Sequence, residues 1–107
     1  MNIPSTIKVG YKDYKVLSVE HLDDESNLLY GQVLYDKETI ELANRYPENQ
    51  MKCTLIHELV HAVDDMNDIK LSEEQVIKLG TGLYQVIKDN PEMFNSIPPA
   101  TKINDWG

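Results

Sequence analysis

Cysteine is nearly absent from this chain. Cys53 stands alone among 107 residues, so no intramolecular disulfide can close, and that usage fits a reducing, cytoplasmic setting. Long apolar runs are absent too. None reaches the roughly 18 residues that a membrane span needs, so no membrane partner is expected. The first ten residues, MNIPSTIKVG, have no charged segment ahead of an apolar run, and no secretion signal is expected from them. Arginine is as scarce as cysteine: of ten basic residues only Arg45 is an arginine, the lysines are scattered singly, and the formal net charge is −8. Phosphate contacts demand clustered cations, so this balance argues against a nucleic-acid partner. Solubility explains the acidity, and a basic protein partner is the other use it would suit. No repeat or low-complexity segment appears. The length suits one domain with a thin core.

What is present divides into two periods. The first part alternates as strands do. TIKV and YKVLSV flank Gly10, which suggests a hairpin. The polar stretch from His21 to Asn27 reads as a loop. LYGQVLY and TIELA flank Asp36-Lys37-Glu38 and suggest a second hairpin, giving a small antiparallel sheet of three to four strands. From about Pro47 to Met66 the period becomes helical, through Leu55, Ile56, Leu59, Val60 and Val63. MNDIKL interrupts it. Ser72, with Gln75 three residues later, matches a capping box and opens a second helix. Val76, Ile77, Leu79, Leu83, Val86 and Ile87 are expected to form its inner face, and Asn90-Pro91 to end it. The tail from about residue 92, with Phe94 and Trp106 as candidate anchors, has no period. The fold class expected is α+β: a small sheet followed by two packed helices.

The first helix carries TLIHELVHAVDD, residues 54–65. His57 and His61 are four apart, with Glu58 directly after the first. On a helical wheel His61 lies about 40° from His57 and Glu58 about 100°. The aliphatic residues occupy the arc from about 160° to 300°. Core and cleft therefore fall on separate faces of one helix. Imidazoles at i and i+4 can share one metal ion, and Glu58 stands beside them, placed for a water rather than for the metal. A plain solvent-facing helix accounts for the same residues without chemistry. A catalytic zinc needs a third protein ligand. The candidates are Glu73, Glu74, Asp64, Asp65, Cys53 and His21. Glu73 shares the stripe of Val76 and Gly80 on the second helix and is preferred, with Glu74 as the alternative. Asp64 and Asp65 are candidates to orient a ligand imidazole. Gly80 and Gly82 would let the helices approach closely, or are a tolerated irregularity of the second helix. Tyr84 lies too far along the helix for a role in the chemistry.

The HExxH helix and the downstream LSEEQVIKLGTGLYQVIKDNP resemble the ImmA/IrrE-type metallopeptidases, especially their short phage and prophage members. The likeness runs from about Tyr30 to Pro91. It implies one zincin-like domain over residues 1–107, with zinc on His57, His61 and a glutamate of SEEQV and Glu58 as catalytic base. The expected activity is hydrolysis of a protein or peptide substrate through a metal-bound water. Val76-Ile77 and Leu79-Gly80 depart from the Ala-Asn and Phe-Ala of larger members, which cleave repressors. The strand Thr39–Ala43 is expected to be an edge that pairs with an extended substrate. Two other readings stay open: a zinc-binding domain without turnover, and a small acidic phage-type interaction module.

Overall fold

The computed structural model describes residues 1–24 and 27–94. It is α+β, a four-stranded mixed sheet followed by two helices. β1 (Thr6–Val9) and β2 (Lys12–Val19) form the first hairpin, in register from Thr6 opposite Lys15 to Val9 opposite Lys12. Gly10 turns it with a φ of +60°, and the Met66 side chain would lie 2.7 Å from an added Cβ. Residues with a side chain rarely take that angle, so glycine suits the position twice over. The stretch expected as a loop carries two short strands instead, β3 (Asp23–Asp24) and β4 (Asn27–Leu28), paired antiparallel.

β5 (Gly31–Leu34) and β6 (Thr39–Ala43) form the second hairpin around a single 3-10 turn, Tyr35–Lys37. Glu38 leaves that turn in the left-handed region. The strand order is β1-β2-β6-β5, and β6 runs parallel to β2 from Lys15 opposite Thr39 to Val19 opposite Ala43. The sheet is therefore mixed, not wholly antiparallel. Residues 20–38 form the crossover that a parallel pair needs. β6 is an inner strand, buried at Thr39, Ile40, Leu42 and Ala43, and a strand apolar on both faces is stable only where both faces are covered. The expected substrate edge at Thr39–Ala43 is thus corrected: the free edge on this side is β5.

α1 (Glu48–Asn67) packs across the sheet through Leu55 and Ala62, against Val9, Tyr14, Val16, Ile40 and Leu42. MNDIKL breaks the helix because Asp68 and Lys70 are both left-handed. The Asp64 carboxylate holds the turn, accepting from the backbone N–H of Lys70 at 2.6 Å and of Leu71 at 3.2 Å. α2 (Glu73–Asp89) opens with the expected capping box: Ser72 Oγ accepts from Gln75 N–H at 3.1 Å, and Gln75 Oε1 accepts from Ser72 N–H at 2.9 Å.

Only part of α2's expected inner face is covered. Val76 and Gly80 are buried. Ile77, Leu79, Leu83 and Val86 are each close to half exposed. Among the described residues, α2 packs chiefly on α1. Periodicity identifies residues that share a face, not what covers that face. A 3-10 turn, Pro91–Phe94, ends the described chain, and Phe94 is exposed. Trp106 and the rest of the tail lie outside the described residues. Among the described residues, no helix is long and apolar enough to cross a membrane.

Ser72→Ala removes one half of the reciprocal cap. It is expected to lower stability by about 1 kcal/mol, read as a shift of the urea midpoint with an unchanged slope.

Candidate metal centre

Three elements enclose a cleft of about 620 Å³. α1 is its floor, β5 flanks one side and the first turns of α2 flank the other. β5 approaches α1 closely at Gly31, where an added Cβ would stand 2.6 Å from Thr54 Cγ2. Helical spacing brings the two imidazoles together: the His57 and His61 rings lie 5.0 Å apart and edge to face. Their ligating nitrogens and a Glu58 carboxylate oxygen all fall within 4.8 Å of one another, a group that can hold a metal ion. Glu58 is only 6% exposed. Among the described residues, it is the single acidic side chain that is buried.

Glu73 reaches the same point from α2. Its Oε1 lies 3.2 Å from His57 Nε2 and its Oε2 lies 3.2 Å from His61 Nε2. Two donors bound at 2.0–2.2 Å to one tetrahedral ion stand about 3.3–3.6 Å apart. The separations between carboxylate and imidazoles are therefore close to those of donors sharing an ion, and two nitrogens with a carboxylate form a fitting donor set.

Gly80 explains how α2 comes so near. A Cβ there would lie 3.2 Å from His57 Cα, so the smallest residue sits where the two backbones cross. Glu73, Val76 and Gly80 follow one helical stripe: carboxylate to the imidazoles, valine into the core, glycine against the His57 backbone. Gly82 meets nothing within 4 Å. The two glycines thus have different standing, and only Gly80 serves close approach.

Electrostatics divide the acidic groups. Burial, then the charge of Glu73, pushes the Glu58 carboxyl up from 4.5 to about 7. Desolvation disfavours the anion, and a second carboxylate disfavours it further. Burial first, then the neighbouring His61, lowers His57 from its ordinary 6.5, while Glu73 acts the other way.

The remaining candidates fall elsewhere. Glu74 pairs with Lys78 at 2.9 Å on the exposed side of α2. Asp64 is bound to the turn after α1, and Asp65 pairs with Lys12 at 3.6 Å, so neither orients an imidazole. Cys53 lines the cleft as a free, half-buried thiol. His21 is exposed, and Tyr84 does not line the cleft. Sequence reasoning passed over Tyr35, Gln32 and Thr54, which do line it. For Tyr35 the available signal was the alternation that sets Gly31, Val33 and Tyr35 on one side of the strand.

Two outcomes follow from this geometry. Gly82→Ala is expected to raise stability by about 0.5–1 kcal/mol. Gly80→Ala is expected to lower both stability and divalent-metal affinity, because the His57 backbone cannot yield as a side-chain tip would. Urea titration with and without metal separates the two. The second concerns pH. In metal-free protein the folded state binds the Glu58 proton more tightly than the unfolded state does. Stability from this group is therefore full below 4.5 and is lost as pH rises from 4.5 to about 7. The lowered His57 contributes with the opposite sign, so the informative quantity is the difference between Glu58→Gln and wild type. In chelator it is expected to grow in the variant's favour by on the order of 3 kcal/mol between pH 4.5 and 8.

No family model, curated protein or solved structure matches this chain.

Proposed function

We propose that this protein is a zinc-dependent peptidase of the ImmA/IrrE type, with His57, His61 and Glu73 as ligands and Glu58 as general base. The observation that carries this reading is the Glu73 carboxylate, one oxygen on each imidazole at 3.2 Å, above a buried glutamate. Zinc, when bound, supplies Lewis acidity and makes water a nucleophile near neutral pH. The chain's own residues do the rest. Glu58, buried beside the two imidazoles, is placed to accept a proton from the attacking water and to return it to the leaving nitrogen. Water oxygen bonds to the peptide carbon, the C–N bond breaks, and the proton balance closes through this one carboxyl.

Substrate binding falls to the edge strand. Among the described residues, β5 pairs with β6 on one side only, and Leu29 to Val33 line the cleft. An extended peptide can add to that edge by main-chain hydrogen bonds, within the cleft that His57 and His61 also line.

Metal analysis of the purified protein tests the ligands. Wild type and Glu74→Ala are expected to hold one zinc per chain, and Glu73→Ala to lose most of it. Equal zinc in all three would remove Glu73 from the site. Glu58→Gln is expected to keep zinc and to lose at least about 100-fold in turnover of a quenched-fluorescence peptide library. Wild type that holds zinc yet is as inert as the variant would make the protein a metal-binding module.

A further inference from the structure

Hydrolysis of an amide needs one more group than the proposed site names: a donor for the carbonyl oxygen, which gains negative charge as water adds. The walls of the cleft hold few candidates. The Gln32 side-chain amide donates to Glu41 at 2.7 Å, and the Gln50 amide donates to Thr54 at 3.1 Å. Tyr30 stacks on Tyr46 with ring centroids 4.3 Å apart and is half exposed. It flanks Gly31, and so lies at the Thr54 end of the cleft, away from His61. Tyr35 differs on each count. It lines the cleft and is half-buried. Among the described residues its hydroxyl makes no hydrogen bond.

Register places it. Gly31 abuts Thr54. From that contact, four residues along the strand carry the chain about 13 Å to Tyr35. Seven residues of α1 carry it about 10 Å from Thr54 to His61. β1 and β5 run the same way in the sheet, and α1 meets Gly31 at Thr54 and Gly10 at Met66; strand and helix therefore advance together, and Tyr35 stands level with the His61 end of the metal group. The charges felt by its phenol agree with that position. Burial raises its pKa, and the carboxylates of Asp65 and Glu58 raise it further. A phenol so placed stays protonated and remains a donor across the neutral range.

We propose that Tyr35 donates a hydrogen bond to the carbonyl oxygen of the bound peptide, from the β5 side of the cleft opposite Glu73, and so acts as a catalytic residue of the reaction proposed above. This assignment rests on that reading. It divides the work of the cleft among its three elements: α1 and α2 for the metal, α1 for proton transfer, and the turn after β5 for the developing oxyanion.

The test uses full-length protein loaded with cobalt and a tetrahedral oxyanion probe, N-phosphoryl-leucinamide, titrated against the visible cobalt absorption. Tyr35→Phe removes one oxygen and leaves the ring packing in place. Cobalt affinity and the urea midpoint are expected to stay at wild-type values. Probe affinity is expected to fall about tenfold, as for loss of a hydrogen bond to a charged acceptor. Equal probe affinity in wild type and variant overturns the assignment while the metal site stands. So does a wild type that binds cobalt but not the probe, and so does a variant that loses cobalt, since Tyr35 would then support the ligands instead. Absence of a cobalt spectrum in both proteins overturns the metal reading itself, and the assignment with it.

Discussion

The contact between one carboxylate and two imidazoles decides how this small structure is organised. Glu73 is placed by three features of α2 that have little to do with each other chemically. The Ser72–Gln75 box fixes where the helix starts. Val76 fixes which face turns inward. Gly80 fixes how close the axis comes to α1 at His57. Loss of any one moves the carboxylate. The site is thus held by ordinary helix physics, and the histidines would be unremarkable neighbours on α1 without it.

The same arrangement concentrates negative charge where the fold can least neutralise it. Glu58 and Glu73 face one cleft, and among the described residues no lysine or arginine lines it. Proteins resolve such crowding by protonating one partner or by binding a cation. Here the buried member, Glu58, is pushed toward neutrality while the more exposed Glu73 meets the imidazoles. In metal-free protein the cost is borne as a proton taken up on folding. A divalent ion would reverse that balance, favouring the anionic form of both groups. The weakened acidity of Glu58 and the capacity of the cluster to hold a cation are two expressions of one electrostatic condition.

Much of the site was legible because its parts are local. His57, Glu58 and His61 lie within five residues of one helix, and their relative directions follow from 3.6 residues per turn. Glu73 was legible for a related reason, since Val76 and Gly80 mark its stripe. What could not be read depends on pairings distant in sequence. Parallel pairing of β2 with β6 follows from a crossover, and nothing in TIELA says which strand will lie beside it. For the same reason β6 looked like an edge, although its apolar run was the sign of an inner strand. Asp64 and Asp65 looked available to the imidazoles until the left-handed turn at Asp68 and Lys70 and the side chain of Lys12 engaged them. Four of the six apolar residues expected on α2's inner face stay about half exposed, because a wheel has no knowledge of layers. Tyr35 required a register between strand and helix that only the contact of Gly31 with Thr54 supplies.

That uncovered stripe has a consequence for how metal and fold are coupled. With Leu79, Leu83 and Val86 about half in solvent, burial secures α2 mainly through Val76 and the close approach at Gly80. Helices of this length are marginal without tertiary contact. A ligand that binds only when α2 is docked stabilises the docked state by RT ln(1 + [L]/Kd). For a metal present at about 100 times its dissociation constant this is about 2.7 kcal/mol, comparable to burying one more large aliphatic side chain. The ion would therefore do structural work that the thin core leaves undone. An element held partly by its ligand is also one that can loosen when the ligand leaves. In this fold the element that completes the site is also the one least secured by the core.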